Sequence, residues 1–372
     1  MTAPSTLAEV VVDLDAIRGN LRRLRELVGT EVMAVVKADG YGHGMVEVAR
    51  AAREAEVRWL GVATLDEALA LRGAGDTGRV LCWLAAPEAD YRPLVAADID
   101  VTAYTPDQVE AIAAAAREVG VTARLQLKFD TGLSRGGAPR DGWDALIRAA
   151  AAATDVVVTG LWSHFACSDE PEHPANDAQE AAFRDAVAMA RAAGLEPEVC
   201  HLSNSAGALL RPSARFDLVR LGIATYGLSP APAVVSEQEL GITPAMTARA
   251  IVVMNKDIKR GDGVSYGHTF QALEDMSVAL IPLGYGDGVP RAASSRAEVQ
   301  LKGERVPLLG RVCMDQFVVG PTTAPAGEVA VLFGDGADGG PTAQDWARWC
   351  DTIAYEIVTR MQGRATRRWV HQ

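Results

Sequence analysis

Apolar runs in this chain repeatedly end on residues that could do chemistry. Lys37 and Tyr41 lie in AVVKADGYGHG, Lys128 and Arg135 in LKFDTGLSRGG, and Ser163 and His164 in SHFACSD. His201, Asn204 and Ser205 follow in HLSNSAG, then Arg220, Gly222, Ile223 and Tyr226 in VRLGIATYG. Burying an ammonium group is costly and drives a lysine toward its neutral form. A partly neutral lysine is the nucleophile that forms a Schiff base with the aldehyde of pyridoxal 5′-phosphate (PLP). The phosphate of such a cofactor needs neutral donors: backbone N–H groups of glycine-rich turns and hydroxyls such as those of Tyr41 and Ser205. Its pyridine nitrogen needs a partner, either an acid or an arginine. Arg220 cannot shed its charge, so inside an apolar run it must find a partner.

Each residue alone has a plainer reading. A strand-end lysine is ordinarily a surface residue whose stem covers apolar area. GYGHG misses the third glycine of a dinucleotide turn at Met45. Isolated histidines are mostly hydrogen-bonded core residues, and Cys313 and Cys350 read as ordinary buried thiols. Tyr266 in GVSYGHT reads as an aromatic beside a turn. Only the recurrence of polar residues at strand ends resists assignment to packing.

The elements that would position these residues follow from periodicity. Apolar, β-branched runs span 32–37, 59–64, 79–84, 99–104, 123–130, 156–165, 198–204 and 216–226, separated mostly by alanine-rich amphipathic segments. Strand alternating with helix implies parallel pairing with right-handed crossovers. Eight such strands predict an α/β chain with an N-terminal (β/α)8 TIM-type barrel, whose site lies at the C-terminal strand ends. Beyond Leu228 a proline-containing connector leads to short strands and tight turns, which predict a C-terminal mainly-β domain closed by a helix over TAQDWARWCDTIAYEIVTRM. The expected boundaries are 1–238 for the PLP-binding barrel and 239–372 for the β-domain. The strand at 8–13 has no obvious barrel partner, and pairing with the second domain is the alternative considered.

Composition narrows the class. The 372 residues carry a formal charge of −12, against nucleic acid as a partner. Five cysteines without a CxxC pair or a Cys/His cluster suggest a reducing compartment and no metal site. No apolar run of about 18 residues occurs, so a soluble cytoplasmic protein is expected, without membrane association.

The motifs quoted above, with GVSYGHT, IPLGYGDG, GRVCMDQF and IAYEI in the same order, resemble those of the alanine racemases over nearly the whole chain. The resemblance implies PLP as cofactor, interconversion of L- and D-alanine for peptidoglycan, and a homodimer with shared sites. Lys37 resembles the cofactor lysine and one acid/base; Tyr266, from the partner subunit, resembles the other. Tyr41, Ser205, Gly222, Ile223 and Tyr355 resemble the phosphate cradle, with His164 and Asn204 also at the cofactor and Arg220 facing the pyridine nitrogen. Arg135 and Met314 resemble groups around the substrate carboxylate and cofactor oxygen, and Tyr285 a gate. Cys313 and Asp315 flank Met314 in the supporting shell. His164 and His201 are expected as supporting groups, one near Tyr266 and one near Arg220. Lys128 matches a lysine often carbamylated in that family. A PLP decarboxylase of similar build and a non-catalytic PLP carrier are the rivals; Arg220 and the second domain weigh against them. Alanine as against serine or broader specificity stays open.

Overall fold

The computed structural model describes residues 6–371. Before the barrel, β1 (Ala8–Asp13) runs into helix α1 (Leu14–Val28). Asp13 caps α1 by accepting from the N–H groups of Asp15 and Ala16, and Gly29 ends it in the left-handed region. Ile17, Leu21, Leu24 and Val28 form its buried stripe, and α1 packs beside the helix Met45–Glu54.

The barrel strands are β2 (Glu31–Val35), β3 (Trp59–Val62), β4 (Arg79–Cys82), β5 (Asp100–Ala103), β6 (Ala123–Lys128), β7 (Val156–Trp162), β8 (Val199–His201) and β9 (Leu218–Leu221). Every pair from β2 to β8 is parallel to its sequence neighbour, and β9 returns beside β2. The ring closes where Asp217 N–H donates to Cys200 O (3.1 Å) and Arg220 N–H to Ser203 O (3.0 Å). The barrel-plus-β architecture expected from the strand–helix alternation is therefore the fold.

The second domain adds β10 (Met246–Ile251), β11 (Met254–Ile258), β12 (Gly263–Val264), β13 (Phe270–Gln271), β14 (Met276–Ile281), β15 (Glu298–Leu301), β16 (Glu304–Leu309), β17 (Phe317–Val319), β18 (Val329–Phe333) and β19 (Thr366–Val370). Nine strands form one sheet in the order β11-β14-β17-β16-β15-β18-β10-β1-β19. The first strand of the chain thus lies antiparallel to β10 and parallel to the last strand. Buried Glu9 pairs there with Arg249 and Arg368.

Three local features differ from the sequence expectation. The terminal helix is two helices, Ala343–Cys350 and Ala354–Arg360, because Asp351 turns left-handed (φ 56°). The arginine-rich segment after it is an edge strand, β19. The connector contains one helical turn, Glu237–Leu240, set by a Ser236/Glu239 capping box.

At the N-terminal end of the barrel, fully buried Asp100 accepts from Arg79 (2.7 and 3.0 Å), Arg124 Nε (2.9 Å) and Thr159 Oγ1 (2.6 Å). Asp100→Asn would leave two guanidiniums facing a neutral amide. The expected loss is about 3 kcal/mol or more, read as a lower denaturant midpoint at unchanged slope.

Candidate active site

Lys37 does not end a strand. β2 stops at Val35, and Lys37 opens a tight turn whose next four residues are left-handed: Ala38, Asp39 and Gly40 at φ 53°, 53° and 60°, and Tyr41 at 52°. A left-handed turn costs about 1–2 kcal/mol at each non-glycine residue, so it persists only where other contacts hold it. Glu67 Oε1 accepts from Ala38 N–H (2.7 Å), and Asp39 Oδ1 accepts from Met45 N–H (2.9 Å). His43 Nδ1 donates to the carbonyls of Gly40 (3.1 Å) and Tyr41 (2.9 Å). Gly42 is obligatory: a Cβ there would lie 2.4 Å from Val358 O.

The turn delivers two groups to one place. The Lys37 ammonium sits 5.8 Å from the centre of the Trp83 ring. Burial lowers its pKa, Arg135 and then Arg220 add to this, and Glu67 opposes it. Tyr41 is buried and stacks on Tyr226 (4.9 Å between ring centres), with Tyr355 6.1 Å away. Its hydroxyl reaches so near Gly222 that a Cβ there would lie 2.6 Å from it. Ser205 Oγ accepts from Gly222 N–H at 2.8 Å. Asn204 receives the Ser168 hydroxyl (2.8 Å) and caps Gly207 N–H (3.0 Å), while buried Ile223 starts the next turn. Two hydroxyls, a glycine N–H and a bare glycine face thus converge beside a lysine of depressed pKa. That donor set fits the phosphate and aldehyde of PLP.

Arg220 is buried without a carboxylate partner among the described residues. Its Nη1 donates to His201 Nδ1 (2.9 Å) and His201 O (3.2 Å). Its Nη2 donates to Ser163 O (2.8 Å), Leu202 O (2.8 Å) and His164 Nδ1 (3.1 Å). Burial pulls Arg220 down to about 9, still well above neutrality, so it stays a cation. Burial and then Arg220 hold both histidines far below their usual pKa. Both imidazoles are therefore neutral acceptors. Within the chain both histidines bind Arg220, which needs more acceptors than one residue supplies.

His201 Nε2 carries the remaining proton and donates to Gln126 Oε1 at 2.7 Å, while its ring lies flat on Trp162 (5.6 Å, 6°). Lys128 lies over the Trp162 ring, 4.4 Å from its centre. Burial lowers it to about 8, helped by Arg220, Arg135 and Lys37 against Asp130. Arg135 is exposed on the loop beyond β6, close enough to Lys37 and Lys128 to depress both.

The remaining expected residues form a second cluster on the β-domain. Tyr266 is 71% exposed. Ser265 before it is held left-handed (φ 63°), its hydroxyl donating to Arg311 O (2.6 Å) and lying 3.2 Å from Cys313 Sγ. Tyr285 N–H donates to Cys313 O (3.0 Å) and Gly286 N–H to Met314 O (2.9 Å). Arg364 ties this cluster together, binding fully buried Asp287 (2.6 and 2.8 Å) and Asp315 (2.9 Å). Tyr285 and Met314 are exposed with Tyr266. No hydrogen bond or ring contact joins them to the Lys37 group among the described residues. Tyr355 of the second domain reaches the lysine side, 6.1 Å from the Tyr41 ring.

Several participants were not singled out from the sequence: Gln126, Trp162, Glu67, His43, Arg364 and Arg367. Gln126 had a signal, since it lies two residues before Lys128 and so shares its face of β6. Among the described residues, no group of three or more His, Cys, Asp or Glu side chains is arranged to hold a metal. No helix among them is long and apolar enough to cross a membrane.

Comparison with known proteins gives the same picture over the full length. Residues 12–230 match the family profile "Alanine racemase, N-terminal domain" and residues 245–369 "Alanine racemase, C-terminal domain". An alanine racemase of Salinispora arenicola is 53% identical over 95% of each chain. The crystal structure of alanine racemase from Streptomyces lavendulae superposes with a TM-score of 0.97 at 48% identity, covering 99% of this chain and 98% of that one. The biosynthetic alanine racemase of Pseudomonas aeruginosa gives 0.88 at 31% identity, over all of both chains. On both domains, at this identity and coverage, the chain belongs to the alanine racemase family of amino-acid isomerases.

Proposed function

We propose that the protein racemises alanine with PLP by a two-base mechanism, Lys37 serving one face of the substrate and Tyr266 of the partner subunit the other. The supporting observation is the split of the site: a lysine–arginine group on the barrel, with Lys128 and Arg220 buried, and an exposed Tyr266–Tyr285–Met314 group on the other domain that no hydrogen bond or ring contact among the described residues joins to it. A homodimer that juxtaposes the two groups supplies the second base. When bound, PLP supplies an electron-withdrawing ring that acidifies the substrate α-proton.

The residues then divide the work. The lowered pKa of Lys37 favours its neutral amine, the form that can take up a proton as a base. Tyr41, Ser205 and Gly222 N–H hold the phosphate, with Ile223, Asn204 and Tyr355 closing around it. Arg220 places a permanent cation at the pyridine nitrogen, which disfavours a proton there and restrains the ring as an electron sink. His201 and His164 orient that guanidinium, and the Nε2 edge of His164 is left toward Tyr266 of the partner. Arg135 binds the substrate carboxylate, Met314 lies by the cofactor oxygen, and Tyr285 gates access. Cys313 and Asp315 hold Met314. Lys128 takes up CO₂ on its neutral amine, releasing one proton, and the resulting carbamate anion holds Arg135. The role assigned is cytoplasmic supply of D-alanine for peptidoglycan.

Purified protein with PLP and pure L-alanine should form D-alanine toward equal amounts, without CO₂ or stoichiometric pyruvate, in a chiral assay. CO₂ release would instead identify a decarboxylase, and a folded, PLP-loaded dimer without D-alanine would remove alanine as the substrate. Mixed dimers of inactive Lys37→Ala and Tyr266→Phe chains should regain one competent site in two. No recovery from subunits proven to mix would rule out the shared site.

Unmodified Lys128 holds its proton less tightly when folded, at about 8, than unfolded, at about 10.4. The unfolded chain then binds more protons across that window, so folding stability rises with pH from about 8 to about 10. In CO₂-free buffer the protein should gain stability over that window relative to Lys128→Met, and bicarbonate should flatten the difference. Parallel curves in both buffers would show that Lys128 is not depressed.

A further inference from the structure

The turn that carries Lys37 and Tyr41 is clamped from the far end of the chain. Arg367 on β19 pairs with Asp39 inside the left-handed stretch. Two residues on, Trp369 Nε1 donates to His43 O at 2.8 Å. The Trp369 indole fills the space over Gly44, where a Cβ would come within 2.7 Å of the ring. Asp39 itself already holds Met45 N–H with its other oxygen, so the Arg367 pairing fixes an aspartate that braces both ends of the turn.

The remaining hydrogen bonds of the turn come from the turn itself or from Glu67 on the helix after β3, while Tyr226, Tyr355 and Val358 pack against Tyr41 and Gly42. Arg367 and Trp369 differ in coming from an edge strand held to the sheet only through β1. β1 in turn leads directly into α1 of the barrel. A strand with one neighbour is a weak stabiliser of its own sheet, yet two of its side chains end on a backbone that is unfavourable without partners.

We propose that Arg367 and Trp369 are positioning residues: they hold the left-handed 38–41 turn so that the Lys37 amine and the Tyr41 hydroxyl face one cofactor site. What the turn positions rests on the PLP reading above; that the turn is clamped does not. Removing the clamp lets residues 38–44 sample right-handed and extended conformations, so Lys37 and Tyr41 no longer point together. Cofactor affinity should fall although neither residue is altered.

The amides of Gly40, Gly42 and Gly44 donate to Val36 O, Ala38 O and Asp39 O at 2.9, 3.1 and 2.8 Å, so their hydrogen exchange reports the turn directly. Exchange would be measured on the full-length dimer with and without PLP, for wild type, Arg367→Met, Arg367→Lys and Trp369→Phe. Arg367→Met and Trp369→Phe should speed exchange at these three amides at least tenfold, leave β10 amides unchanged and raise the PLP dissociation constant at least tenfold. Arg367→Lys, which keeps the charge, should recover most of both. Wild-type exchange at the turn in Arg367→Met would overturn the clamp. Exchange rising equally in β10 would reduce it to ordinary sheet stability, and a faster turn with unchanged PLP affinity would separate it from the site. A wild-type protein that binds no PLP would instead refute the cofactor reading, with the exchange result still deciding the clamp.

Discussion

A guanidinium buried without a carboxylate governs this site. Arg220 is satisfied by three backbone carbonyls and two imidazole nitrogens, all neutral. Its charge is therefore hydrogen-bonded but not cancelled, and each titratable neighbour adjusts to it. His164 and His201 are kept neutral, and Lys128 and Lys37 are both depressed. Only Glu67 and Asp130 oppose this among the groups that act on the two lysines. A chain of formal charge −12 thus holds a strongly positive pocket, suited to a phosphate and a carboxylate and hostile to extra protons.

Chain connectivity explains how such a pocket keeps its geometry. The first strand belongs to the second domain's sheet and runs without a linker into α1, and the last strand lies against that first strand. The two ends of the chain therefore fasten the domains where the lysine turn emerges. Arg364 and Arg367 sit three residues apart on the final segment. One holds the Asp287–Asp315 loops that present Tyr285 and Met314; the other holds Asp39 next to the lysine turn. The same segment thus steadies both the loops of the exposed cluster and the turn that carries Lys37.

Much of this was legible in the sequence, for reasons that differ by element. All eight barrel strands were readable because each is a short apolar run between turn residues, and the C-terminal ends of five carry the polar residues that converge. Lys37 read as a strand end because nothing in KADGY announces consecutive left-handed residues; only one of them is glycine, and the others adopt the conformation through contacts distant in sequence. β19 was not legible, since ATRRWV looks like a solvated charge run until Glu9 and Asp39 appear as partners. The break at Asp351 was equally hidden, because a non-glycine left-handed cap has no compositional mark. Which histidine meets Arg220 depended on where two loops place their ring edges, and the answer was both.

Gln126 shows how far the demand of Arg220 extends. Arginine only donates, so His201 must offer it a lone pair at Nδ1 and carry its proton on Nε2. A buried N–H needs an acceptor, and Gln126 Oε1 is that acceptor. The amide is then oriented with its NH₂ toward Asp100, 3.4 Å away, whose carboxylate anchors Arg79 and Arg124 at the opposite end of the barrel. A glutamate at this position would be an equally good acceptor in shape, but its charge would favour a second proton on His201. That proton would turn Nδ1 into a donor facing a guanidinium. A neutral amide satisfies the histidine without charging it, so His201 keeps a lone pair at Nδ1 for Arg220.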